Sequence, residues 1–273
     1  MLPFWLRMNM FIRSFFLQAG WNYVKYQNIG FAFVMLPFLR RLYRQDKDAL
    51  PTVLQRYLEA FNTHPVMASF CFGAMARQEE TVAIAQSVTD YKEQVIEWLG
   101  TRRGLSITAA SIGDRLFWGT LKPLTLLLAV FIWMLLGINF FETAQLDNPP
   151  LLYVFSACVA AFVVYNSVAF FVRWQGLRLG YECDEKSCFG LTRFDWNRTI
   201  YNAKRLGIVF AAGLILFGVY RYFKGVQVDV DFMARAMLVL FFVIISFVTR
   251  RLRIPNVYLY LTAVVVFNIV CLF

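Results

Sequence analysis

The sequence predicts an all-α integral membrane protein: several transmembrane helices preceded by an amphipathic N-terminal region with re-entrant or broken half-helices. Three observations predict it. Of the 273 residues, 59% are hydrophobic and only 16% charged, whereas soluble domains carry about a quarter charged residues. Uncharged apolar runs close to the roughly 20 residues that a bilayer requires recur through the last 150 positions. The basic residues, which give a formal net charge of +10, gather in alternate connecting segments, as cytoplasmic loops of membrane proteins do. No basic cluster accompanies a recognition motif, so a nucleic-acid partner is not expected.

The N-terminal stretch "MLPFWLRMNMFIRSFF" lacks a small-residue cleavage site after an apolar core and reads as retained. Arg13 to Tyr43 reads as one amphipathic helix, with Ser14, Gln18, Asn22 and Lys25 on a polar stripe. That stripe is either a solvated interfacial face or a face toward a substrate path or a partner. Next, Pro65 to Ala76 is a run of twelve uncharged residues, too short to span. Pro65 suits a first helical turn with Thr63 or His64 at the cap. The run fits either a buried core helix or a half-helix whose N-terminus faces a polar ligand group. His64, the single histidine, reads as a cap or surface residue. Gln78 to Leu99 continues as an amphipathic helix, with Val82, Ile84, Val88, Val95 and Leu99 in its apolar set. Ser111 and Asp114 then have the spacing of a helix start, with Ser111 capping. Asp114 stands before an apolar segment, where a carboxylate must cap, pair or face a cavity; Arg115 and Lys122 are candidate partners.

Five spans complete the chain. Pro123 to Phe141 is nineteen residues without a charge, and Leu151 to Val172 is also uncharged. Leu206 to Val219, Met237 to Thr249 and Asn256 to Phe273 are the others. The segment between the first two spans, Glu142 to Pro150, holds no lysine or arginine, while Arg173 to Arg205 holds seven. This alternation predicts a cytoplasmic N-terminus and a C-terminus outside. The five cysteines lack CxxC spacing and have one histidine between them, so no metal site is expected. No nucleophile–base pairing stands out either, so no catalytic residues and no cofactor are expected.

Three segments in order carry a family resemblance: "RSFFLQAGWNYVKYQNIGFAFVMLPFLRRLY", "YLEAFNTHPVMASFCFGAMARQEE" and "IGDRLFWGTLKP". Together they resemble the IID membrane subunit of the mannose/fructose/sorbose family of bacterial sugar phosphotransferase systems. The core is Gln-Ala-x-Trp-Asn, Phe-Asn-Thr-x-Pro, the Glu-Glu pair and Gly-Asp-x-x-x-Trp-x-Thr-x-x-Pro. "YNSVAFFVRWQGLRLGY" and "RIPN" add to it. The chain departs from the family pattern at "ITAASIGD", read here as a loop, where Ile107, Thr108 and Ser111 replace glycines and a proline, and at Ala169, where an arginine is expected.

The resemblance implies a single IID-type domain over residues 1–273, with the motifs in 1–122 and about five transmembrane helices in 123–273. It implies a multi-pass protein of the bacterial inner membrane. The implied partners are a IIC membrane subunit, soluble IIA and IIB phosphocarriers, a hexose-like sugar, the lipid bilayer and further copies in a higher-order complex. The IID subunit is not itself phosphorylated, and the sugar it helps to translocate is phosphorylated by IIB. Amides both donate to and accept from sugar hydroxyls. On the matching motifs, the sugar-binding candidates are Gln18, Trp21, Asn22, Asn62, Thr63, Asp114 and Trp118. The alternative function is a non-transporting scaffold or regulatory homologue that kept the IIC interface and lost sugar binding, a reading that the altered "ITAASIGD" segment favours.

Overall fold

The computed structural model describes residues 2–46, 48–85, 91–135 and 151–225. These residues form eight α-helices joined by turns: α1 (Phe4–Ser14), α2 (Asn28–Leu42), α3 (Ala49–Tyr57), α4 (Ala68–Ala85), α5 (Tyr91–Gly113), α6 (Lys122–Leu135), α7 (Leu151–Glu182) and α8 (Trp196–Gly225). The chain divides into two compact units, Met1–Leu214 and Ile215–Phe273; the motif segments and the packing around α4 lie in the first. Among the described residues, three helices are long and apolar enough to cross a membrane: Tyr91–Met134, Phe155–Glu182 and Trp196–Tyr220. The expected spans in Pro123 to Phe141, Leu151 to Val172 and Leu206 to Val219 fall largely within them. Met237 to Thr249 and Asn256 to Phe273 lie outside the described residues.

The N-terminal third departs from the sequence reading. Arg13 to Tyr43 is two helices, not one. Helix α1 ends at Ser14, and residues 15–27 form turns held by a short bridge between Asn22 and Tyr26 and another between Tyr26 and Phe61. Tyr26 adopts φ 59°, a left-handed conformation that cannot continue a helix. Gly30, in the first turn of α2, lies so close to the Leu17 carbonyl that a β-carbon would meet it at 1.9 Å. Pro37 lies inside α2 and cannot donate to the carbonyl one turn earlier, that of Phe33. Arg13 Nη1 donates to that carbonyl at 3.0 Å, so the arginine of α1 occupies the acceptor that the proline leaves open.

Helix α4 is the centre of the packing. It includes the uncharged run from Ala68 but continues through the Glu-Glu pair to Ala85, so Gln78 belongs to it and Tyr91 starts a separate helix. His64 caps it as expected: its carbonyl accepts from Ala68 N at 2.9 Å and its Nδ1 accepts from Val66 N at 3.3 Å. It is buried rather than on the surface. Phe31 and Met35 of α2, Phe70, Phe72 and Met75 of α4 and Phe117 are fully buried. Each such side chain contributes about 1.5–3 kcal/mol by leaving water. Helices α4 and α7 cross backbone to backbone. A β-carbon on Gly73 would lie 2.5 Å from the Leu177 carbonyl, and one on Gly180 would lie 2.4 Å from the Phe70 carbonyl. Small residues four apart on both helices (Ser69 and Gly73, Gly176 and Gly180) permit this approach.

Ser111 and Asp114 do not start a helix. The run Tyr91–Met134 is one helix of 44 residues, about 66 Å at 1.5 Å per residue, twice the thickness of the bilayer's apolar core. Its middle, Asp114–Leu121, is wound as a π-helix, and Thr120 Oγ1 donates to the carbonyl five residues back, Arg115 O, at 2.7 Å. Ile107 to Asp114 is therefore helix, not a loop. Asp114 is exposed, and Arg115 donates to Asn197 Oδ1 at 3.1 Å.

Candidate functional site

The amides after α1 form a knot. Asn22 Nδ2 donates to Asn28 Oδ1 at 2.9 Å, and Asn22 Oδ1 accepts from Lys25 N at 2.8 Å. Asn28 Nδ2 donates to the Leu58 carbonyl at 2.8 Å. Gln27 pairs with the backbone of Thr63 at both ends: Nε2 donates to Thr63 O at 2.9 Å and Oε1 accepts from Thr63 N at 3.0 Å. Thr63 Oγ1 donates to the Ser106 carbonyl at 2.8 Å. Gln27, Asn28 and Thr63 are buried, and each group left unpaired there would cost about 1–3 kcal/mol. These bonds hold together the turn after α1, the segment before α4 and α5. Sequence reasoning placed Asn22 and Thr63 but missed that Gln27 and Asn28 are their partners. The signal was the density of amides from Gln18 to Asn28, more than one helical face accommodates.

Next to Thr63, His64 fits against Gly113, where a β-carbon would lie 2.3 Å from His64 Cβ. The imidazole stacks on Phe117, with ring centroids 4.9 Å apart, and has Trp118 edge-on at 5.8 Å. Burial, helped by the positive charge of Arg173, lowers its pKa to about 4, so it is neutral at physiological pH. The Phe-Asn-Thr-x-Pro and Gly-Asp-x-x-x-Trp elements thus meet at His64 and Gly113. Arg173 is buried in α7 and donates from Nη1 to Ser14 O at 2.7 Å and to Ser14 Oγ at 3.1 Å, a tie between α1 and α7 that the sequence reading did not foresee. Its position directly after the uncharged run Leu151 to Val172 was the available signal.

Of the sequence-predicted site residues, Asn22 and Thr63 meet in the knot through Asn28 and Gln27, and Trp118 stands beside His64. Gln18, Trp21, Asn62, Asp114 and Trp118 are exposed. Trp21 meets Tyr23 edge-on at 4.8 Å. Among the described residues, Gln18, Asn62 and Asp114 make no hydrogen bond to the other candidates.

A second polar cluster surrounds Glu79, which is fully buried. Its Oε1 accepts from the Tyr43 hydroxyl at 2.7 Å and from the Arg56 guanidinium; its Oε2 accepts from the Tyr57 hydroxyl at 2.7 Å. Burial first, and then the neighbouring carboxylate, push both phenols above their usual pKa. Burial works against the Arg56 charge, but Glu79, Tyr57 and Tyr43 together outweigh it and raise its pKa. A carboxylate so fully engaged is a structural pin joining α2, α3 and α4. The neighbouring Glu80 accepts from Tyr181 Oη at 2.9 Å and ties α4 to α7.

The motifs that meet at His64 lie within the stretch that matches the PTS system mannose/fructose/sorbose family IID component, residues 6–139. That stretch, just under half of the chain, is similar to the IID component family. The mannose-specific EIID component of Escherichia coli is 33% identical over 172 residues, 63% of this chain and 53% of that protein. The fructose permease IID component of Bacillus subtilis is 33% identical over 173 residues, 63% of this chain and 54% of its own length. The sorbose-specific EIID component of Klebsiella pneumoniae is 30% identical over 63% of this chain and 55% of its own length. The chain spans about half the length of these curated relatives. One solved structure, described only as that of a membrane protein, aligns with a TM-score of 0.59 at 28% identity, over 78% of this chain and 70% of its own. A second is described as the mannose transporter ManYZ in complex with a microcin. It aligns over 97% of this chain and 95% of its own with a TM-score of 0.52 at 21% identity, a likeness of fold. The chain thus carries the motifs it shares with IID components on the polar knot and on the contact between His64 and Gly113.

Proposed function

We propose that this chain is an IID component, a membrane subunit of a phosphotransferase-type sugar transporter in the bacterial inner membrane. It pairs with a IIC subunit to translocate a hexose-like sugar, which the IIB protein phosphorylates after receiving the phosphoryl group from IIA, and the assembly holds more than one copy of each subunit. The observation that carries this reading is the joining of the family's motif segments into one packed knot beside apolar helices long enough to cross a membrane. The relatives' descriptions as mannose, fructose and sorbose components support the substrate class. The N-terminus is cytoplasmic, so the chain leaves through Tyr91–Met134, returns through Phe155–Glu182 and leaves again through Trp196–Tyr220, with the C-terminus outside. The basic residues after Arg173 support that direction.

The site residues divide by what their polar groups already do. Asn22 and Thr63 hold the backbone that presents their neighbours Trp21 and Asn62. Gln18, Trp21, Asn62, Asp114 and Trp118 are free to face a sugar path. The scaffold alternative loses its main support, because Ile107, Thr108 and Ser111 are exposed positions of a continuous helix, and the Gly113 that the packing requires is retained.

The test is uptake of labelled hexoses, trapped as phosphate esters, by cells carrying the cognate IIC and soluble components with and without this chain. Accumulation that depends on the chain is the expected result. A stable complex with IIC that accumulates no sugar phosphate would overturn the reading.

A further inference from the structure

Away from the His64 knot, a groove of about 330 Å³ runs between α8 and the junction of the π-helical segment with α6. Thr120, Leu124 and Leu127 line one wall, and Lys204, Gly207 and Ala211 line the other. Both walls belong to helices long and apolar enough to cross a membrane. The two run in the same direction: Arg115 Nη1 donates to Asn197 Oδ1 at 3.1 Å before the groove starts, and the rings of Phe131 and Phe210 meet at 5.0 Å toward its far end. The groove is accessible from outside, since Lys204 is exposed and Ile208, also lining it, is 70% exposed. Its polarity is graded along its length. Lys204 supplies a charge at the Arg115 end, where Thr120 Oγ1 is already committed to the Arg115 carbonyl, and the walls beyond are aliphatic. Around that end, residues 114–122 and 195–205 hold five cations (Arg115, Lys122, Arg198, Lys204 and Arg205) against two carboxylates, Asp114 and Asp195. Among the described residues none of the five makes an ion pair. Packing does not require the glycine in the groove either. A β-carbon on Gly207 would meet Leu124 Cδ1 at 3.6 Å, an ordinary contact, so the missing side chain leaves the groove open without bringing two backbones together.

We propose that this groove seats one acyl chain of an anionic phospholipid, with the lipid phosphate at Lys204. Size selects the chain. Each wall extends over about seven residues, or about 11 Å of helix, so the groove has a cross-section of about 30 Å², against about 80 Å² for a helix with its side chains. It takes an extended hydrocarbon chain and not a partner helix. Charge selects the headgroup. Basic residues clustered at the ends of membrane helices attract anionic lipids, and the lysine ammonium offers three donors to phosphate oxygens. A zwitterionic headgroup brings its own cation to a region that already has an excess of them, and is favoured less. The lipid site is separate from the residues placed on the translocation path and stands or falls independently of the transport reading.

The test is native mass spectrometry of the purified full chain in detergent, titrated with dioleoyl phosphatidylglycerol or dioleoyl phosphatidylcholine. It is run on the wild type, Lys204→Gln, Gly207→Leu and Arg103→Gln. Lys204→Gln removes the charge at the groove and leaves its walls intact. Gly207→Leu fills the groove and keeps the charge. Arg103→Gln removes an equal charge from an exposed position sixteen residues before Gly119, about 24 Å away along the helix. The wild type is expected to bind phosphatidylglycerol about tenfold more tightly than phosphatidylcholine. Lys204→Gln weakens phosphatidylglycerol by about fivefold, the share of one cation near a headgroup, and leaves phosphatidylcholine unchanged. Gly207→Leu weakens both lipids by about tenfold or more, and Arg103→Gln changes neither. Failure of the wild type to retain either lipid would show that protein closes the groove and would overturn the proposal. Equal affinities for the two lipids, or phosphatidylglycerol binding unchanged in both Lys204→Gln and Gly207→Leu, would overturn it too. So would a loss in Arg103→Gln as large as that in Lys204→Gln, since the attraction would then belong to the overall charge.

Discussion

Residues 2–121 and the helices beyond them solve the same problem in opposite ways. The first region carries buried polar groups and engages many of them internally: Glu79 with two tyrosines and an arginine, Gln27 with Thr63, Asn28 with Leu58, and Arg102 with the carbonyls of Arg56 and Ala60 at 2.7 and 2.6 Å. The later helices leave large apolar side chains exposed, among them Phe155, Phe162, Ile208 and Val209. In a bilayer such exposure has no hydrophobic cost. The first region is thus specified by directional bonds that tolerate little change, and the second by apolar length and close backbone contact.

The largest expected effect of breaking this contrast is at Glu79. Glu79→Ala leaves Arg56 as a charge in a protein interior and should cost about 3–5 kcal/mol, seen as a large drop in the thermal midpoint of the purified protein in detergent. A midpoint within a degree of wild type would show that the cluster is not a structural pin.

Glycine substitutions come next. Gly180→Ala drives a β-carbon into the Phe70 carbonyl and should destabilise by about 1–3 kcal/mol, as overpacking does. Gly213→Ala in α8, where nothing lies within 4 Å, should be neutral or stabilising by up to about 1 kcal/mol. Equal effects at the two positions would remove the case for a close crossing between α4 and α7.

A pH dependence of similar size belongs to His64. Its folded pKa of about 4 lies below the ordinary 6.5, so the unfolded chain takes up the proton first as pH falls. Stability from this residue is full above about pH 6.5 and declines toward pH 4, by on the order of 3 kcal/mol. In His64→Gln that decline should be missing from denaturation curves taken at pH 7, 5.5 and 4.5.

The smallest effect should be at the exposed face of α8: Ile208→Ala should change the midpoint in detergent by no more than about 0.5 kcal/mol equivalent.

The same contrast explains what the sequence revealed. The spans through Pro123 to Phe141 and Leu151 to Val172 were legible because an uncharged run of nineteen or more residues has few alternatives to a membrane. The chain from Phe15 to Asn28 was not legible, because its conformation depends on Phe61, whose carbonyl accepts from Gln27 N at 2.8 Å. A polar stripe at helical spacing is no guide when partners thirty or more residues away take the neighbouring amides of Gln27 and Asn28. Ser111 and Asp114 had the spacing of a helix start, yet the helix runs through them because Gly113 in its last turn must receive His64. The motifs alone marked the Asn-Thr-x-Pro and Gly-Asp elements but not their meeting at His64 and Gly113, and the Glu79 pin required Tyr43, Arg56 and Tyr57 to be seen together. That pin was half visible as a carboxylate pair in an otherwise apolar helix.

The proposed division between amides that hold the fold and amides that would face a sugar path is tested most directly at Asn22 and Asn62. Each is changed to alanine, and co-purification with IIC and uptake of labelled sugar are measured in the same cells. Asn62→Ala is expected to keep the complex and lose uptake, while Asn22→Ala, by opening the knot, loses both. Normal uptake and assembly in Asn22→Ala would contradict the account.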